Sequence, residues 1–336
     1  MQSALLALVL VATAAFAFLN GLRDASAAVA LPVRTRSLTP SVAVVLAAVF
    51  NFIGVMLSLG LSVAIADRVF AVPAGTAGLG LLAAGTAAAC GWGVYQWWRG
   101  YPSSSTHALI GGIAGAALGS ALKGHAPPDG AAPSLLPLLV LPLLISPVAA
   151  LLLAYGAVFP AMWAARYSQP SRVHRRIRYA QSVAAAAVAL GHGLQDGPRT
   201  TVVVVLALGA AGLNNDGGVP PWVLLFSAVL LTSGTLAGGW RISHTLGTRL
   251  VRLDPMRGIV AQLTSGVLLF IGAIGLQLPF STTHTMTSAI VGAGFNQRSS
   301  RINPRLWITI LGAWIATPVA SAVLGLLLYL AISPLL

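Results

Sequence analysis

Apolar residues run in long stretches from one end of the chain to the other, at about 2–22, 41–66, 75–98, 107–122, 133–163, 180–212, 221–240, 259–278, 284–296 and 307–332. A helix needs roughly 20 apolar residues to cross a bilayer, and most of these stretches reach that length. The pattern predicts an all-α integral membrane protein, a polytopic helical bundle. Two stretches, 107–122 and 284–296, are short for a full crossing, and each is entered through a proline and a Ser/Thr cluster. Short, interrupted apolar segments at matching places in two halves point to broken or re-entrant helices around a transport site.

Composition supports this reading. Of 336 residues, 57% are hydrophobic and only 7% charged. A soluble domain carries about 25% charged residues, so the chain cannot cover a water-facing surface of ordinary size. The first 20 residues lack the basic n-region of a cleaved signal peptide and lead straight into a polar motif, which marks them as a membrane helix. In a soluble protein a net charge of +13 would suggest nucleic acid. Here the positive charges fall in short loops, where they set membrane topology, and no nucleic-acid partner is expected. The single cysteine, Cys90, excludes an internal disulfide framework.

Two polar motifs recur in the same order. Gly21-Leu22-Arg23-Asp24 returns as Gly193-Leu194-Gln195-Asp196, 172 residues on. Pro102-Ser103-Ser104-Ser105-Thr106-His107 returns as Pro279-Phe280-Ser281-Thr282-Thr283-His284, 177 residues on, and each copy has a glycine eight residues later, Gly115 and Gly292. This indicates an internal duplication, with residues 1–165 and 179–336 as the repeats and 166–178 as a linker. Equivalent loops differ in charge. Arg34 and Arg36 follow the first motif in half one, whereas 211–219 has no Lys or Arg. The next loop holds only Arg68 in half one but Arg241, Arg249, Arg252 and Arg257 in half two. Lys123 then stands alone against Arg298, Arg301 and Arg305. Since positive loops stay cytoplasmic, the repeats have inverted topology. The five arginines of the linker place it inside, and the uncharged N-terminus starts outside.

Two of the six carboxylates, Asp24 and Asp196, sit in the first motif at apolar depth. A charge there costs at least about 2.5–3.5 kcal/mol and normally faces a cavity or ion path. The competing reading is an internal ion pair with Arg23 or Arg199. Asp67, Asp129, Asp216 and Asp254 fall in expected loops and read as solvated charges. In the second motif, proline can start a helix, and the free N–H groups of a first turn with its hydroxyls suit an oxyanion. Ser104, Ser105, Thr106, Ser281, Thr282 and Thr283 are the candidate donors, although such clusters also serve as helix packing. His107 and His284 could donate, relay a proton or brace a helix, and His192 raises the same question. An anion beside two carboxylates needs a cation between them. A Na⁺ ion, a proton on an Asp or a fixed arginine would serve, which is why cation-coupled transport is expected over a bare channel.

These motifs resemble the inorganic phosphate transporter (PiT) family of Na⁺- or H⁺-coupled symporters, across about 14–120 and 166–330. Gly238-Gly239-Trp240-Arg241, Thr245-Leu246-Gly247 and the run from Pro279 through Gly294 add to the likeness. The resemblance implies a multi-pass protein of the cell membrane that carries phosphate, with Asp24, Asp196 and the Ser/Thr residues around the substrate, and a homodimer as the assembly. Gln195 replaces the family's usual Asn before the second Asp, Ala27 replaces an Asn after the first, and Arg23 stands where relatives have Asn or His. Fewer oxygen donors and an added arginine favour H⁺ over Na⁺ as the coupling ion, with Arg23 supplying the charge of a bound Na⁺. Arg23 and Arg199 are therefore assigned to the substrate, and Asp24, Asp196, Gln195, His107 and His284 to the ion or proton. Neither a bound metal nor a cofactor is expected. Sulfate is the alternative substrate. An intramembrane serine hydrolase is disfavoured because the chain has no Gly-x-Ser-x-Gly elbow and a duplicated site is foreign to such an enzyme. A non-transporting membrane partner is the remaining alternative. The prolines of 123–165 argue against one straight helix there.

Overall fold

The computed structural model describes residues 1–69, 72–125, 141–167, 170–214, 218–295, 297 and 301–336, with side chains at all of these except 66–69 and 170–175. Asp129, Asp216, Arg298 and the prolines at 127, 128, 133 and 137 lie outside the described residues, as do the side chains of Asp67, Arg68, Arg172 and Arg175.

Twelve α-helices and no strands make up the described chain. In half one they are α1 (Gln2–Arg34), α2 (Pro40–Met56), α3 (Leu59–Val69), α4 (Thr76–Arg99), α5 (Ser105–Leu122) and α6 (Leu141–Ala165). In half two they are α7 (Pro170–Ala210), α8 (Pro221–Ala237), α9 (Trp240–His244, continued by a π turn Thr245–Leu250), α10 (Pro255–Phe270, continued by a π turn Ile271–Leu276), α11 (Thr282–Phe295) and α12 (Pro304–Ile332). Six of them, alone or with their terminal turns, are long and apolar enough to span a membrane, and two bent pairs would each make one span more. The chain is a multi-pass membrane protein.

Several boundaries differ from the sequence pattern. α1 does not stop near 22; it continues through Gly21–Asp24 and Pro32 to Arg34, so the Asp motif is mid-helix. α7 likewise starts at Pro170, which makes most of the basic linker helical. The stretch 41–66 is two helices that meet at 57°, and 221–250 repeats the break at 56°. There Gly238, at φ +75, takes a turn closed to other residues by the neighbouring Trp240 ring. α6 keeps Pro147 and Pro160 inside one helix. Membrane helices tolerate proline when neighbours satisfy the freed carbonyls.

The halves interlock reciprocally. α1 packs on α8 and α2 on α7; α5 packs on α12 and α11 on α6. Glycines make each contact. A Cβ on Gly21 would lie 2.0 Å from Leu231 O, and one on Gly234 would lie 1.9 Å from Phe18 O. Gly54 meets Leu190 O and Gly193 meets Asn51 O, each at 2.3 Å. Gly115 meets Ala322 O at 1.8 Å, and its counterpart Gly292 meets Leu151 O at 2.1 Å. Small residues let membrane helices approach this closely. Two large apolar cores result, beside three smaller clusters. One joins the end of α1 and the start of α7 to α6, α9, α10 and α11; the other joins the start of α1 and the end of α7 to α4, α5 and Tyr329 of α12. α5 and α11 touch at their N-termini, where His107 and His284 stack at 4.9 Å, yet their bodies lie in different cores. They run away from a common midpoint, as inverted repeats require. Exposed arginines Arg34, Arg36, Arg241, Arg249 and Arg305 lie at or near helix ends, and Arg178 lies in the third turn of α7.

Gly115→Ala should force α5 from α12 and cost about 1–3 kcal/mol, as overpacking does. Gly156→Ala meets nothing within 4 Å and should be neutral or slightly stabilising. Melting temperatures in detergent check the pair.

Candidate functional site

The site forms where α5 and α11 begin, against the middles of α1 and α7. Each short helix has a serine cap. Ser104 Oγ accepts from His107 N at 3.2 Å, and Ser281 Oγ accepts from His284 N at 3.3 Å. Pro102 and Pro279 therefore do not occupy the first helical position; they lie in the extended lead-in before the cap. The remaining N–H groups of the first turn have no intrahelical acceptor.

The next hydroxyls turn to the carboxylates. Ser105 Oγ lies 2.9 Å from Asp24 Oδ2 and 2.8 Å from Asn20 Oδ1. Thr282 Oγ1 donates to Asp196 Oδ1 at 3.0 Å, the equivalent bond in the second half. Thr283 Oγ1 crosses between halves to donate to Asp24 Oδ1 at 2.8 Å. Its counterpart, Thr106 Oγ1, is buried without a partner among the described residues. Asp24 and Asp196 are both buried, yet among the described residues only Asp196 of the two is ion-paired. Arg199 Nη1 lies 2.6 Å from Asp196 Oδ2 and His192 Nε2 lies 3.1 Å from it. Arg199 also donates to Ser105 Oγ at 3.3 Å and to Phe280 O at 3.1 Å, so one guanidinium joins both motif copies. His192 Nδ1 is 2.8 Å from Asn51 Oδ1, and Asn51 Nδ2 donates to Thr235 Oγ1. One ligand atom each from Asp24, His192 and Asp196 lie within 4.8 Å of one another.

Arg23 and Gln195, equivalent in the repeat, do equivalent work outside this cluster. Arg23 Nη2 donates to Ser103 O at 2.8 Å and Ser103 Oγ at 2.7 Å. Gln195 Oε1 accepts from Phe280 N at 2.9 Å while its Nε2 donates to Leu269 O. Ser103 and Phe280 hold the same place in the two Pro-led motifs, so each side chain fastens the turn that leads into its half's short helix. Arg23 makes no ion pair with Asp24; among the described residues the pairs are those of Asp196 and that of Arg257 with Asp254.

Three contributors gave little sequence signal. Asn20 and Asn51 are isolated polar residues in apolar helices. Trp314 on α12 is one of eight tryptophans, yet its ring stacks on His284 at 3.9 Å while its Nε1 donates to Pro102 O at 2.8 Å. It thereby ties the first motif to the second. Trp314→Phe should keep the stack and lose the bond. Leaving the Pro102 carbonyl unpaired costs about 1–3 kcal/mol, which loosens the first turn. The expected result is a melting temperature lowered by a few degrees, read by thermal unfolding in detergent.

Known proteins carry the same pattern. A model of the Phosphate transporter family matches residues 20–169 and again 161–325. A protein of Rhizobium meliloti (strain 1021) named "Probable low-affinity inorganic phosphate transporter" is 36% identical over 323 residues, which cover 94% of this chain and 93% of that one. A Bacillus subtilis (strain 168) protein of the same name is 32% identical, over 96% and 95%. The solved structure titled "The sodium-dependent phosphate transporter" superposes with a TM-score of 0.80 over 99% of this chain and 100% of that one, at 19% identity. The same fold thus persists where little sequence is shared. With a family match along nearly its whole length and relatives above 30% identity end to end, this chain belongs to the phosphate transporter family.

Proposed function

We propose that this chain is a secondary active transporter, a symporter that carries inorganic phosphate across the cell membrane with a coupling cation, H⁺ in the first reading. Residues 1–165 and 179–336 form its two inverted repeats around the basic segment 166–178. The arginine-rich face is cytoplasmic, and the N-terminus is outside.

The observation that carries the reading is where the hydroxyl hydrogens go. Thr282 donates to Asp196 and Thr283 to Asp24, while the single Ser105 hydrogen lies between Asp24 and Asn20. A hydroxyl has one hydrogen, so while it is committed to a carboxylate it offers an incoming oxyanion only lone pairs. Neutralising Asp24 removes the pull on Thr283 and lets it turn its hydrogen to phosphate. Thr106, the open N–H groups of the two first turns and the Arg199 charge complete the donor set. Cation and anion then bind together because the same hydroxyls serve both. Asp196 has its cation in Arg199. Asp24 has none among the described residues, so the transported cation neutralises Asp24.

A proton fits this account with the fewest donors. Na⁺ is the second reading, favoured by the close approach of Asp24, His192 and Asp196. Oxygen donors suit hard cations and imidazole suits transition metals, so Na⁺ would take the carboxylate and hydroxyl oxygens there.

The test is labelled phosphate uptake into proteoliposomes under a pH gradient, a Na⁺ gradient or neither, with sulfate as competitor. Uptake driven by the pH gradient and indifferent to Na⁺ is expected. Uptake driven by Na⁺ alone keeps phosphate symport and discards the proton. No phosphate uptake under any gradient overturns the proposal. Asp24→Asn fixes the neutral side chain. It should abolish gradient-driven uptake while phosphate-for-phosphate exchange, which moves no net cation, survives.

A further inference from the structure

The turn between α1 and α2 carries an exposed arginine in an unusual backbone conformation. α1 ends with Ser37 N and Leu38 N both donating to Pro32 O. Arg36 closes this turn with φ 58, in the left-handed region. The turn is clamped to α7, because Thr35 Oγ1 and Ser37 Oγ both donate to Gln181 Oε1 at 2.7 Å. One helical turn before Gln181, α7 carries Arg178. Arg36 and Arg178 frame a groove of about 520 Å³, whose other walls include Val33, Leu38, Thr39 and Val42. The two exposed cations thus stand over a largely apolar floor.

That floor continues onto the membrane surface. Val42 is 51% exposed, and Val45 and Val49 follow at 54% and 50%. At spacings of three and four residues they share one face of α2. A soluble anion would match the arginines and leave the apolar wall unused. A molecule with an anionic head and acyl chains matches both. Basic pockets between membrane helices hold anionic head groups in this way.

We propose that this groove binds an anionic glycerophospholipid, its phosphate between Arg36 and Arg178 and its chains along Val42, Val45 and Val49. The bound lipid bridges the repeats at their basic face, since α1 and α2 belong to the first and α7 to the second. The inference rests on the membrane fold and is independent of the coupling ion.

The test is thermal unfolding of the full chain in detergent with saturating inorganic phosphate throughout, titrated with phosphatidylglycerol or phosphatidylcholine. Phosphatidylglycerol at some ten times its Kd should raise the melting temperature by about 2–4 °C, and phosphatidylcholine should not. The shift should vanish in Arg36→Asn/Arg178→Gln, where Asn suits the left-handed backbone. It should shrink in Val42→Asn, which keeps both charges and serves if the double variant is unstable. Arg249→Gln/Arg301→Gln, on a separate basic pocket, should keep it. An undiminished shift in the groove variants overturns the proposal. Equal loss in both arginine pairs overturns a defined site in favour of diffuse attraction. A shift reproduced by glycerol 3-phosphate overturns the lipid and leaves a site for soluble phosphate esters.

Discussion

Two carboxylates buried in the middle of a membrane protein, with no glutamate and few other acids anywhere in the chain, set the terms for everything around them. A charge at that depth must be matched, and the chain matches its two carboxylates in different ways. Asp196 takes Arg199 and His192. Asp24 takes hydroxyls. The short helices exist to bring those hydroxyls to it, and the breaks, the lead-in turns and the glycine contacts hold the short helices in place. A site made only of charge pairs would be satisfied and inert. One half-satisfied carboxylate, fed by hydroxyls that can reverse their direction, gives the site something to exchange.

The two-fold relation supplies the scaffold, and departures from it supply the chemistry. Ser105 and Thr282 make the same bond in each half, as do the glycine contacts. Elsewhere the equivalents diverge: Asn20 against His192, Arg23 against Gln195, Ala27 against Arg199. The divergent positions on the second repeat gather positive charge at Asp196. Those on the first put Arg23 to work on a backbone turn and leave Asp24 without an ion pair among the described residues. A symmetric frame therefore holds an asymmetric arrangement of charge.

Much of this was legible in the sequence because it depends on pattern. Long apolar runs gave the helices, the paired motifs gave the repeats, and the arginine bias gave their opposite orientation. What was not legible depends on direction. Periodicity locates Arg23 beside Asp24 but not the turn of its side chain toward Ser103. A proline before a Ser/Thr run signals a helix start, but whether proline or serine caps it depends on where the serine hydroxyl can reach. Single residues such as Asn51 and Trp314 carry no periodic signal at all. They matter through partners 141 and 212 residues away, and no local rule reaches that far. The α1 boundary was missed for a related reason: a polar motif inside a helix reads as its end when the partner that satisfies it is unseen.

The exchange of partners between halves has a consequence for how the protein is made. α6 packs its glycine-matched face on α11, and α12 packs on α5. During synthesis the first half is complete in sequence well before α11 exists, so α6 enters the membrane without the surface it is shaped for. α5 waits longer still, since α12 follows α11 in the chain. Contacts between such distant segments form late and slowly. The half-made protein must keep open the very groove in which the two short helices later meet. α12 acts as the closing bolt, seating α5 and setting Trp314 against both motifs in one movement.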